Sequence, residues 1–270
     1  MAADTSRARA AAQAALAGRT PLEAGMQKSL AALVWVYRWG YSSPSIMDTV
    51  AGIEGAPRRG VAARLAKRGL LARHSVPVVA PHLPRAIMTL TAQGVSAVEA
   101  AGGWWPDWAP PIDELSPYED GIIERQIVHD LAVQKITLEF LCNGKISGFK
   151  TPREMKSASE KGKKQPDAVW IMDGKHVALE LELTRKKPGK EWDDTRLATL
   201  QALQDGVYDM VIYVTHSPAI LRHIQDGYAP GATLTRWGYD ASRHLVPVKR
   251  GTVPEALAAR VQAVLREDLL

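Results

Sequence analysis

The sequence predicts a mixed α/β chain, α+β overall, and three observations predict it. Through residues 118–270, segments of helical period alternate with short β-type runs, the pattern of a central mixed sheet flanked by helices. Residues 25–102 read instead as helices followed by a two-stranded ribbon. Between the two parts, the stretch from Gly102 to Pro117 holds four prolines, two glycines and three tryptophans with no period, so residues 103–117 form a connector. Trp104, Trp105 and Trp108 are too apolar to face water and are expected to seal an interface between domains. At 270 residues and 46% apolar content the chain can bury two ordinary cores.

The first part is justified element by element. Residues 1–24 form an Ala-rich, Arg-dotted arm, flexible or helical, with no apolar stripe to bury. From Met26, Leu30, Leu33, Val34 and Tyr37 recur at helical spacing, and Gly40 stands where a helix stop belongs. Ser43-Pro44, a capping residue before a proline at the first helical position, opens a second helix, and Ala56-Pro57 opens a third. In that third helix Val61, Leu65 and Leu70 share one side, while Arg58, Arg59, Arg64, Lys67 and Arg68 largely surround the others. A β-rich run, a Pro-rich turn at Pro81–Pro84, a second extended run and one short helix complete it. Three helices followed by a ribbon is the winged-helix order, in which the third helix enters the major groove of double-stranded DNA. The five cations of that helix are therefore candidate DNA contacts.

Charge distribution agrees. Residues 1–105 carry twelve Lys/Arg against five Asp/Glu in a chain whose net charge is only +5, so the positive charge is concentrated in the first part. No run of about 18 uncharged apolar residues occurs, and the N-terminal stretch has no hydrophobic signal core, so a soluble, cytoplasmic protein with no membrane partner is expected. The single cysteine, Cys142, excludes an internal disulfide and is expected to be a buried small hydrophobe.

The second part opens on a long amphipathic helical pattern containing Ile123, Ile127, Leu131, Val133 and Leu138. A polar, Lys-rich stretch follows. Asp173-Gly174 separates two strand-like runs, AVWIM and HVALELEL, and marks a hairpin. A helix around Asp193–Leu203, an apolar strand MVIYVT, a helix around Pro218–Asp226, further short strands and a closing helix over Val253–Leu269 are expected after it.

The chemistry lies in the hairpin. Residues two apart on a strand share a face, so Glu180 and Glu182 project together while Leu179 and Leu181 face the other way. Two adjacent carboxylates beside an apolar core call for a neutralising cation or an open, wet face. Asp167 stands at the other arm of the hairpin and can reach the same point. Three hard oxygen ligands suit Mg²⁺ or Mn²⁺, which would hold a phosphodiester and activate water, with Lys186, or Lys187 beside it, adding positive charge near the transition state. Lys161, Lys163 and Lys164, just upstream, would hold the DNA backbone that the carboxylates repel.

Pro166-Asp167, the hairpin, Glu180-x-Glu182 and the following lysine resemble the PD-(D/E)XK nuclease core, that is, a restriction-endonuclease-like domain. With the winged helix, the upstream segment from Glu124 to His129-Asp130 and the downstream strand Val211–Thr215, the ordered set resembles the replication-relaxation family, which includes the MOB-C type plasmid relaxases. That resemblance implies metal-dependent nicking at an origin of transfer, accessory transfer proteins as partners, and His129 as a further member of the site. No lysine stands two residues after Glu180, where the motif places one. A relaxase that uses a covalent tyrosine needs two closely spaced histidines, and His74, His82, His129, His176, His216, His223 and His244 provide no such pair. No phosphate-binding Gly-x-x-x-x-Gly-Lys-Ser/Thr loop occurs. The competing reading is a non-catalytic DNA-binding accessory or regulatory factor on a nuclease-like scaffold.

Overall fold

The computed structural model describes residues 20–52, 60–76, 84–101, 105–119, 122–156 and 165–269. The chain divides into two compact units, Met1–Ile122 and Ile123–Leu270. Among the described residues no helix is long and apolar enough to cross a membrane.

In the first unit α1 spans Pro21–Trp39, α2 Pro44–Val50, α3 Val61–Lys67 and α4 Ala92–Glu99, with strands β1 Leu71–Ser75 and β2 Ala86–Leu90 between α3 and α4. The helix expected from Met26 begins earlier, because Thr20 and Glu23 form a capping box. The Thr20 hydroxyl accepts the Glu23 N–H, and the Glu23 carboxylate accepts the Thr20 N–H. Gly40 ends α1 at φ +86°, a conformation open to glycine. Ser43 caps α2 through its side chain, with Pro44 behind it, as expected.

Antiparallel pairing of Leu71 with Leu90 through Ser75 with Ala86 makes the ribbon. A further bridge between Ser42 and Met88 fastens it to the chain between α1 and α2. Leu33, Val36, Val61, Leu65, Leu71 and Leu90 belong to one buried core. Trp105 and Trp108 pack against this same core, and Tyr118 donates its hydroxyl to Gly40 O (2.8 Å) while accepting the Leu90 N–H (2.9 Å). The stretch expected to be a connector, and the residue expected to open the second domain, are thus part of the first unit. Trp104 lies outside the described residues.

The second unit is built on one five-stranded mixed sheet. Helix α5 (Ile127–Cys142) precedes strand β3 (Gly148–Lys150), a short helix α6 (Pro152–Lys156), and strands β4 (Ala168–Met172) and β5 (Lys175–Leu181). Helix α7 (Lys190–Gln204), strand β6 (Met210–Thr215) and helix α8 (Pro218–Tyr228) follow. A separate ribbon of β7 (Thr233–Tyr239) and β8 (Leu245–Thr252) leads to helix α9 (Glu255–Ala258) and strand β9 (Val261–Leu265). The sheet order is β3-β4-β5-β6-β9, antiparallel through β5 and parallel from β5 to β9. Asp173 and Gly174 both take positive φ (49° and 74°) in the β4–β5 turn, as the two-residue hairpin turn requires.

Four expectations need correction. Strand β3 and helix α6 lie inside the stretch read as merely polar, since a three-residue strand carries almost no periodicity. The closing helix is instead α9 followed by β9, whose Val261–Leu265 run pairs with β6, so sheet pairing overrides helical spacing. Helix α5 is not simply amphipathic: Leu131, Ala132, Val133 and Gln134 are buried in succession, which covers more than one face. At its end Cys142 is exposed rather than buried.

Candidate functional site

The two faces of the central sheet have different characters. Trp170, Val177, Leu179 and Leu181 are buried on the face that meets α5, where the Trp170 indole donates to Thr137 Oγ1 (3.0 Å) and stacks on Phe140. On the other face stand Ala178, Glu180 and Tyr213, with Glu180 paired in register to Tyr213 on β6. The Leu179–Ala168 pair ends the β4–β5 ladder, and the Asp167 N–H donates to Leu179 O (3.0 Å), so the next step of the register sets Asp167 beside Glu180. The hairpin thus brings the backbone of Asp167 next to that of Glu180.

Asp167 is held from two sides. Its Oδ2 accepts the Leu181 N–H (2.7 Å) and lies 3.3 Å from His129 Nε2. His129 projects from the first turn of α5, and its Nδ1 lies 3.3 Å from the Asp130 carboxylate, its Nε2 3.2 Å from Leu181 O. Both ring nitrogens face acceptors alone, which requires both to carry protons. Burial pulls the imidazole pKa down, but hydrogen bonds to Asp130 and Asp167 and their charges outweigh it, and the pKa is raised to about 10. His129 in this arrangement is a cation seated against Asp167.

Glu180 and Glu182 are both buried. Beneath Glu180 runs a chain of hydroxyls in which Tyr213 OH is 2.7 Å from Tyr228 OH and 3.1 Å from Thr199 Oγ1. Burial first, then the charge of Tyr228 and of Glu180, hold the Tyr213 hydroxyl protonated far above its usual range. Burial and the charge of Glu180 act the same way on Tyr208. Glu182 leaves the end of β5 with its N–H bonded to Val214 O (2.9 Å). Its carboxylate is ion-paired with Lys186, four residues on. An ammonium thus reaches the end of β5 although position 182 is itself an acid.

Sequence reasoning missed the tyrosine pair and His223. Tyr213 was visible as a polar-tipped residue inside the apolar strand MVIYVT, but Tyr228 meets it only through the packing of α8. His223 stacks on Trp192 (4.6 Å), and its Nε2 is buried with no hydrogen-bond partner among the described residues. Burial and then the charges of Arg185 and Arg196 lower its pKa, while Asp226 and then Glu182 oppose them.

Of the candidate DNA contacts, Arg64, Lys67 and Arg68 are exposed on α3 and just past it, in the first unit. Arg58, Arg59, Lys161, Lys163 and Lys164 lie outside the described residues. Glu124 is exposed in a single 3-10 turn before α5.

Hard divalent cations take carboxylate oxygens and commonly bind through one or two carboxylates, with waters and substrate phosphates completing the shell. Asp167 and Glu180, adjacent in register at the end of a sheet, fit that demand in donor type. Among the described residues no three or more His, Cys, Asp or Glu side chains are gathered as a ready cation cage, Glu182 being turned to Lys186. No family model, no curated protein and no solved structure matches the chain.

Proposed function

We propose that this chain is a DNA-processing protein of a mobile element, a metal-dependent nicking endonuclease or relaxase acting at an origin of transfer. The observation that carries the reading is the hairpin register, which sets the backbones of Asp167 and Glu180 side by side at one end of the mixed sheet, with His129 against Asp167. The hairpin with Pro166-Asp167 at its entry and Glu180-x-Glu182 at its exit supports a restriction-endonuclease-like second unit, and the resemblance to the replication-relaxation family supplies the substrate class. The three helices and ribbon of the first unit, with Arg64, Lys67 and Arg68 exposed, support a winged helix that binds duplex DNA.

Mg²⁺ or Mn²⁺ held by Asp167 and Glu180 would supply the Lewis acidity for phosphodiester hydrolysis. The protein's own groups prepare that step. The Leu181 N–H and His129 fix one Asp167 oxygen, and the hydroxyls of Thr199, Tyr213 and Tyr228 form a buried polar floor under Glu180. Lys186 brings an ammonium to Glu182 at the end of β5, where it would add positive charge near the transition state.

One observation favours a second reading. Asp167 and Glu182 each already have a protein cation beside them, His129 and Lys186, an arrangement a non-catalytic DNA-binding accessory factor would also maintain. Incubation with supercoiled DNA carrying the cognate origin, in Mg²⁺ or Mn²⁺ against EDTA, separates the two. Metal-dependent relaxed product supports the enzyme; tight binding without a nick supports the accessory factor.

A further inference from the structure

The β7–β8 ribbon has no part in the site at the end of the sheet. Its root is firmly tied. Leu234 is buried in the core between the sheet and α7, Arg196 donates to Thr233 O (2.8 Å), and the Trp237 indole donates to Asp193 Oδ2 (2.8 Å). β8, which runs alongside that root and past it, is exposed at every residue except Val246. Eight residues at about 3.3 Å each make this exposed strand roughly 25 Å long.

Its charge is one-sided. Residues 233–252 contain Arg236, Arg243, Lys249 and Arg250 against the single acid Asp240. Asp240 is used within the turn, where Oδ1 accepts the N–H groups of Ser242 (2.9 Å) and His244 (2.8 Å). Among the described residues none of the four cations is ion-paired with a carboxylate. Arg236 also stands directly opposite Lys249 in the register, with Arg250 next along β8. Like charges facing each other across a ribbon destabilise it, so the pairing is a cost without an anion to bridge it. Protection of an exposed strand edge would account for Pro247 and Lys249 on β8. It accounts less directly for Arg236 on β7, the strand tied to α7 through Thr233 and Trp237.

We infer that the β7–β8 ribbon is a DNA-binding arm that lies in a groove of duplex DNA, Arg236 and Lys249 on one face and Arg250 on the other meeting the phosphodiester backbone on either side. A two-stranded ribbon is narrow enough for the major groove. The irregularity between Arg236 and Trp237 adds twist at the point where the cations lie. Close packing keeps the strands together there: a Cβ on Gly238 would come within 2.9 Å of Val248. The exposed apolar residues of the ribbon, Tyr239, Leu245 and Val248, fall far short of the roughly 20–30 residues that a stable protein interface uses on each side.

The inference rests on the reading of the chain as a DNA-binding protein and is tested apart from nicking. Duplex binding by the full-length protein is followed by fluorescence anisotropy in EDTA at several salt concentrations, for wild type and for Arg236→Ala/Lys249→Ala/Arg250→Ala. The variant is expected to bind at least about tenfold more weakly at roughly 150 mM salt. Its log–log salt slope should be shallower by about 2 to 3, since each lost phosphate contact removes about 0.9. Its thermal midpoint should be unchanged or higher at low salt, because the facing cations are gone, and Arg236→Lys/Arg250→Lys should restore most of the binding. Equal affinity and slope in wild type and variant would overturn the arm and leave the DNA reading standing. No duplex binding by wild type would overturn both. Self-association lost in the variant while DNA binding stays intact would overturn the arm in favour of a protein-facing surface.

Discussion

His129 Nε2 lies 3.3 Å from Asp167 Oδ2, so the first turn of α5 and the entry to β4 are joined by a charged pair at the end of the central sheet. The pair explains why a histidine on a largely buried helix carries its charge, and it ties a helix residue to a carboxylate of the candidate site across 38 positions of sequence.

The raised pKa of His129 sets a pH dependence. Its folded value of about 10 lies above the ordinary 6.5, so the imidazolium contributes stability that is complete below about pH 6.5 and is lost as pH climbs through about 10. In EDTA, wild type should exceed His129→Gln in denaturant midpoint by the largest margin near pH 6, and the margin should shrink steadily toward pH 10. Urea titrations across that range check it, and a margin that grew with pH would contradict the assignment.

In the first unit, Asp48 on α2 is buried and accepts the Ala62 N–H at the start of α3 (3.4 Å). Gly60 leaves room for it, since a Cβ there would fall 1.9 Å from Asp48 Oδ2. Gly60→Ala should therefore cost about 1–3 kcal/mol by overpacking. The loss should be smaller in an Asp48→Ala background, a coupling that a double-mutant cycle by chemical denaturation measures directly.

Asp193 and Arg196 form a buried ion pair on α7, and Arg196 also donates to Gly227 O (2.6 Å) and Thr233 O (2.8 Å). Arg196→Met should destabilise the second unit by roughly 3–5 kcal/mol because Asp193 is left charged and buried. Asp193→Asn combined with Arg196→Met should recover part of that. Calorimetry of the two variants gives the ranking, and a double variant no more stable than the single one would show that the lost backbone contacts dominate.

The exposed cations of α3 make a separate prediction. Arg64→Ala/Lys67→Ala/Arg68→Ala should weaken duplex binding across all sequences and reduce the salt slope by about 2 to 3. An unchanged slope in anisotropy titrations would mean that this face of α3 meets only water.

The sequence made local features legible and long-range ones obscure. Asp173-Gly174, Gly40 and Ser43-Pro44 specify their turns and caps by their own backbone chemistry, so the hairpin and the first helices could be read directly. The same-face spacing of Glu180 and Glu182, with Asp167 across the turn, follows from that hairpin alone. By contrast, the burial of Glu182 against Lys186 depends on how the chain turns after β5, and the Tyr213–Tyr228 contact depends on where α8 lands. Val261–Leu265 is a strand because β6 offers it a partner, a fact its own periodicity does not contain. The tryptophan-rich stretch was recognisably apolar, but which core Trp105 and Trp108 would join is a tertiary outcome.

The central claim, that Asp167 and Glu180 make this chain a metal-dependent nuclease, is tested most directly by nicking of supercoiled origin DNA in Mn²⁺ by wild type and Asp167→Ala, with duplex binding measured on the same preparations. Wild type should nick, and EDTA should abolish the activity. Asp167→Ala should nick more slowly by roughly 10²–10³-fold or more, the scale of one lost transition-state contact, with DNA affinity nearly unchanged. Asp167→Ala that nicks as fast as wild type, or wild type that binds the DNA and leaves it supercoiled in Mn²⁺, would contradict it.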